Sequence, residues 1–251
     1  MKALEQFTIK NIKRLLSLLK SFPSAKEKEE LHRMRLEIKK IKALLRLIHF
    51  NDKGFREHKH FIPFRAIFRE AGTIRDAGLR KELLEQYTQI HTPFFRSPSL
   101  ALRKFKKEIP AHIKAVRKQK KIILDEIRDI KSRTYSLYLY KRNKELITVL
   151  SAGITQKDLH GLRKLIKEII YLTLIKKKKS KIDPFLIESA ELIGNWHDKK
   201  ILIPWIRIHA GKEKDTIKRL QIESNADMQN LRKMVGKHLQ RFKAESEKQK
   251  A

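Results

Sequence analysis

Cysteine is absent from this chain. Disulfides and thiolate metal sites are therefore excluded, and a reducing interior is allowed without being required. Glycine and proline are scarce, at 8 and 7 of 251 residues, which suits long helices with short connections. No run approaches the roughly 18 consecutive apolar residues of a membrane-spanning helix. The stretch MKALEQFTIKNIKRLLSLLKSF lacks a compact apolar region followed by a small-residue cleavage site. It reads as an amphipathic helix rather than a signal peptide, and a soluble cytoplasmic protein is expected. Acidic residues are few, 28 against 60 Lys and Arg. Aromatic residues are only 8% of the chain, which leaves little for stacking on bases.

What is present is a core together with a large surplus of positive charge. Apolar residues make up 41%, enough to exclude wholesale disorder. The formal net charge is +32. Self-repulsion on that scale points to a polyanionic partner: nucleic acid, an anionic membrane surface or a phosphate polymer. The length allows one large domain or two of ordinary size.

Residues 31–48, LHRMRLEIKKIKALLRLI, carry two patterns at once. Leu31, Met34, Ile38, Ile41, Leu45 and Ile48 step by three and four, the spacing of one buried helix face. One residue further round, His32, Arg35, Lys39, Lys42 and Arg46 repeat the same steps. This basic row flanks the seam instead of opposing it. Like charges at these spacings cost a few tenths of a kcal/mol per pair. Either the row is a solvated face, or something anionic lies along it.

The chain also repeats itself. Residues 159–172, LHGLRKLIKEIIYL, align with 31–44, LHRMRLEIKKIKAL, so that His160, Arg163 and Lys167 fall on His32, Arg35 and Lys39. At nearly the same separation, Ala71–Asp76 (AGTIRD) pairs with Ile193–Asp198 (IGNWHD). Gly72 and Gly194 are expected to end helices in a left-handed conformation. Thr73 and Asn195 would cap the next ones, with Asp76 and Asp198 at the third helical position. Arg75 and His197 are placed to join a salt-bridge network there.

The predicted helices of the first half lie near 2–21, 25–50, 55–72, 73–90 and 98–131. Those of the second lie near 133–152, 156–178, 183–194, 195–210 and 212–245. Pro63 and Pro110 fall inside two of them and predict kinks or breaks. The alternating Tyr135–Tyr140 stretch is kept helical because strong helical patterns flank it. The expected fold is all-α: two antiparallel helical bundles, residues 1–131 and 132–251, packed about a pseudo-twofold axis into one unit. Symmetry would let the two basic rows face each other across a groove, an arrangement that repulsion permits only with an anion between them.

These residues resemble the CHAD domain, an all-helical module named for its histidines. Its hallmark, His-x-x-Arg followed by a Lys/Arg-rich turn in each of two halves, is matched by His32, Arg35, Lys39, Lys40 and Lys42. The second copy is His160, Arg163 and Lys167, with Tyr171 at an aromatic position. The Gly-x-x-x-Asp turns at Gly72–Asp76 and Gly194–Asp198 are similar to its other recurring feature. The resemblance covers nearly the whole chain. It implies a stand-alone, non-catalytic module whose basic central channel binds inorganic polyphosphate, with association with polyphosphate granules as an extension. The chain departs from the pattern at Glu168 and Ile170, which replace Lys40 and Lys42 in the second copy. Compensating charge is expected from Arg232, Lys233, Lys237 and Arg241. A second source is Arg103, Lys107, Lys114, Arg117 and Lys121.

Polyphosphate has neither bases nor sugars, so its binder needs charge and donors at helical intervals. Arg supplies a planar fork and Lys a point charge. His32 and His160 either donate to phosphate, orient the neighbouring arginine, or make one structural hydrogen bond. Lys176–Lys179 reads as a solvated helix end, and His58 and His60 point to different sides. There is no HExxH motif, so neither a metal nor a cofactor is expected.

Three other functions suit parts of this pattern. Nucleic-acid binding suits the charge, and non-specific binding at low salt is assured, but helix-turn-helix, zinc-finger and RNA-binding signatures are missing. An enzyme acting on phosphates would need a carboxylate cluster holding metal, a Gly-rich phosphate loop or an activated nucleophile; GxxxxGK[ST] does not occur. A peripheral membrane binder would use Leu4, Phe7, Ile12, Leu15, Leu16 and Leu19 of the first helix, which are expected instead to pack on the first bundle.

Overall fold

The computed structural model describes residues 2–22, 27–87, 99–177, 179–209 and 214–248. Among them every regular element is helical, and no strand is present. The helices are α1 (Lys2–Ser21), α2 (Glu27–Asn51), α3 (Glu57–Tyr87) and α4 (Ser99–Arg128). They continue with α5 (Ser132–Ser151), α6 (Leu159–Thr173), α7 (Pro184–His209) and α8 (Lys214–Lys248), with a 3-10 turn at Lys179–Lys181. The chain forms two compact units, Met1–Tyr138 and Leu139–Ala251.

In the first unit α2 is the central element, packed against α1, α3 and α4. Its whole predicted seam, Leu31, Met34, Ile38, Ile41, Leu45 and Ile48, is buried, and so are Leu44 and Leu47 on other faces. Each such aliphatic side chain contributes about 1.5–3 kcal/mol of burial. The strip carrying His32 and Lys39 is left exposed. α1 buries Leu4, Ile12, Leu15 and Leu19 and packs on α2 and α4, so its apolar face is used inside the unit. The α2–α3 turn is tied by a hydrogen bond between His49 Nδ1 and the Phe55 carbonyl (2.8 Å) and by Gly54 N–H donating to Asp52 Oδ1 (2.8 Å).

In the second unit α7 packs on both α6 and α8. α6 buries Leu162, Leu165, Ile166, Ile169, Ile170, Tyr171 and Leu172, while His160 and Lys164 are exposed. Asp158 precedes α6 and accepts hydrogen bonds from Thr155 N–H (3.1 Å) and Thr155 Oγ1 (2.6 Å). Those two bonds hold its carboxyl below the usual range.

The structure corrects two expected helix breaks. α3 runs without interruption through Gly72, and α7 through Gly194. Thr73 is accordingly no N-cap: its hydroxyl donates to the Arg69 carbonyl (3.2 Å), a back-bond of the helix interior. Neither glycine has a positive φ, which among the described glycines occurs only at Gly153. What occupies the space beside both glycines is an arginine. Pro63 and Pro110 lie within α3 and α4, which continue past them. α6 ends at Thr173, so Lys176 and Lys177 of the lysine run lie beyond it, and Lys178 lies outside the described residues.

Candidate functional site

The basic row of α2 is laid along α3. Arg35 Nη1 donates to the Phe68 carbonyl (2.7 Å), and its guanidinium carbon sits 4.0 Å from the Phe68 ring centroid. Lys39 Nζ lies 6.0 Å from the same ring, and Lys42 Nζ lies 4.8 Å from the Phe61 ring. Arg46 Nε is 3.7 Å from Glu57 Oε1. Aromatic faces attract these cations by about 0.5–1 kcal/mol each at accessible sites. They do so without cancelling the charge.

Arg35 occupies a notch. A Cβ on Gly72 would collide with Arg35 Nη1, and only a residue without a side chain admits the guanidinium as placed. Burial lowers the Arg35 pKa; the attraction of Asp76 opposes that and the repulsion of Arg75 adds to it. The cation is thus half-buried, fixed by a carbonyl that bears no net charge, and incompletely compensated.

The second unit repeats this seat. Arg163 Nε donates to the Ala190 carbonyl (3.3 Å), and Arg163 Nη2 lies 2.8 Å from where a Cβ on Gly194 would stand. In both units the accepting carbonyl is four residues before the glycine. Beside this seat the rings of His160 and His197 are 6.0 Å apart. Burial depresses the His160 pKa most, followed by the repulsion of Lys164, His197 and Arg163. Lys167 is half-buried one turn further along.

Other candidates fall elsewhere. Lys40, counted among the phosphate-binding residues through the CHAD resemblance, is turned inward: it is 9% exposed and bonded to buried Glu37 (2.7 Å). Glu168, at the equivalent place in α6, is also buried and accepts from Arg142 Nη2 (3.2 Å). Arg103, Lys107, Lys114 and Arg117 are exposed on α4. They lie opposite its buried seam of Phe105, Ile109, His112, Val116 and Ile123. Arg232 and Lys237 are exposed on α8. Arg232 borders a shallow hollow of about 210 Å³ with Gln156, Asn225, Met228 and Gln229.

One cluster escaped the sequence reading. Glu70 of α3 meets Glu108 and His112 of α4, with ligand-capable atoms all within 4.8 Å of one another. The Glu108-x-x-x-His112 spacing was its only visible signal, since Glu70 arrives through packing.

Among the described residues no helix is long and apolar enough to cross a membrane. Comparison of the chain with models of protein families, with curated proteins and with solved structures finds no match.

Proposed function

We propose that the chain binds inorganic polyphosphate, without catalysis, along the exposed strips of α2 and α6. The single observation that supports this most is the arginine seated on a glycine in both units, Arg35 on Gly72 and Arg163 on Gly194. A half-buried cation held by a neutral carbonyl loses hydration, which at Arg35 the attraction of Asp76 only opposes, and a phosphate oxygen would supply further counter-charge. His32 and Lys39 extend the α2 strip; His160, Lys164 and His197 extend that of α6. Adjacent phosphates would engage such a rigid row multivalently, so affinity should rise steeply with chain length.

The pairing of the two strips about a pseudo-twofold axis, across a basic channel, belongs to this proposal, as do a cytoplasmic setting and association with polyphosphate granules. The CHAD resemblance supports the same ligand. The alternative is a general polyanion or nucleic-acid binder, which the net charge of +32 favours.

Competition separates the two. Labelled polyphosphate bound at about 0.15 M salt, where diffuse surface attraction is largely screened, is challenged with single-stranded DNA of equal charge. The proposal expects displacement by unlabelled polyphosphate and little by DNA. Equal displacement by both would leave only the general polyanion reading.

A further inference from the structure

We propose that Glu70, Glu108 and His112 form a binding site for one Zn2+ ion in the first unit. Glu108 and His112 stand one turn apart on α4 and so share a face. α3 packs against α4 and supplies Glu70. His112 Nε2 lies 3.0 Å from Glu70 Oε2 and 3.9 Å from Glu108 Oε2. Donor atoms around a tetrahedral zinc ion lie about 3.3 Å apart. These distances bracket that value, and rotation of the two glutamates closes the remainder.

The company these groups keep is unusual for this chain. With 60 Lys and Arg against 28 acids, a carboxylate ordinarily finds a cation. Here two carboxylates converge on one imidazole. Glu108 pairs with Lys104 Nζ through its other oxygen (3.8 Å), which leaves Oε2 facing the imidazole. His112 is 7% exposed, and its ring packs against Phe105 with centroids 5.7 Å apart, which limits ring rotation. A neutral imidazole nitrogen and two carboxylate oxygens make a set that balances a divalent charge. The nitrogen ligand favours zinc over magnesium or calcium, which take oxygen ligands. A position is left for water or a phosphate oxygen. The inference does not rest on polyphosphate binding and stands or falls separately.

Equilibrium dialysis of the full chain against Zn2+ in phosphate-free buffer, with metal content measured directly, tests it. Co2+ replaces Zn2+ in a parallel run, where visible absorption reports the coordination. The variant Glu70→Gln/Glu108→Gln keeps side-chain shape and removes both charges. His160→Gln/His197→Gln removes the paired histidine rings of the second unit. The expected result is one equivalent of zinc, weakened by at least about tenfold in the glutamate variant and retained in the histidine variant. Zinc should also raise the melting temperature of the parent chain and not that of the glutamate variant. Absence of a bound equivalent at micromolar zinc would overturn the proposal. So would equal binding by the glutamate variant, or loss only in the histidine variant.

Discussion

The guanidinium of Arg35 fills the space that a side chain on Gly72 would need. The two residues stand on different helices, α2 and α3, and each accounts for the other. A glycine inside a helix costs about 1 kcal/mol relative to alanine. That cost is offset here by a charge-assisted hydrogen bond from Arg35 to the Phe68 carbonyl. Arg163 and Gly194 make the same arrangement in the second unit.

Gly72→Ala and Gly236→Ala should therefore move stability in opposite directions. Gly236 is exposed in α8, and an added Cβ would meet nothing within 4 Å. Alanine there should stabilise by about 0.5–1 kcal/mol. At Gly72 the same gain is outweighed by displacement of Arg35 from its carbonyl, a charged hydrogen bond of about 1.5–3 kcal/mol. A net loss of about 1 kcal/mol is expected, with weaker polyphosphate binding. Urea unfolding checks the pair; stabilisation by both would remove the notch as the reason for the glycine.

Acid should weaken the free protein and strengthen its complex. The folded-state pKa of His160 is depressed. Below the ordinary histidine value of about 6.5 the unfolded chain takes up this proton more readily. Stability from this group is complete above that value and is lost as pH falls through the lower folded pKa. A bound polyanion reverses the bias, so binding near pH 6 should take up protons, about one at most from this ring. Calorimetry in buffers of different ionisation enthalpy measures the uptake. Equal uptake by His160→Gln would assign the proton elsewhere.

Lys39 and Lys40, neighbours in sequence, should separate binding from stability. Lys40 is buried against Glu37, and Lys40→Met leaves that carboxylate without its cation. A loss of roughly 3 kcal/mol or more is expected, partly recovered by adding Glu37→Leu. Lys39 is exposed above the Phe68 ring; Lys39→Met should change stability by within about 0.5 kcal/mol and weaken polyphosphate binding. Thermal melts beside binding isotherms check both halves, and a large stability loss from Lys39→Met would contradict the assignment.

Periodicity made much of this structure legible. The seam from Leu31 to Ile48 is buried in full, because one helical face follows from spacing alone. At Gly72 the local signal and the fold diverge. Glycine beside threonine is a local stop signal, whereas its actual partner, Arg35, is distant in sequence and reaches it only by packing. Lys40 lies off the three-and-four basic row and joined the site only through the CHAD resemblance; its burial follows from the central position of α2, packed by three helices, which is not written in α2 itself. The α4 cations share one face in the sequence as in the structure, but which way that face turns was decided by Phe105, His112 and Val116. Glu70 joins His112 across two helices, a juxtaposition that spacing cannot reveal.

The most direct measurement is calorimetric titration of the full chain and of Arg35→Ala/Arg163→Ala with long-chain polyphosphate at about 0.15 M salt. Single-stranded DNA of equal charge serves as the comparison. Each lost phosphate contact is worth about 1.5–3 kcal/mol, so the double variant should bind polyphosphate at least about a hundredfold more weakly, with its DNA binding little changed. Polyphosphate affinity equal to that for DNA, and unmoved by the two substitutions, would contradict the account and leave the seated arginines a purely architectural role.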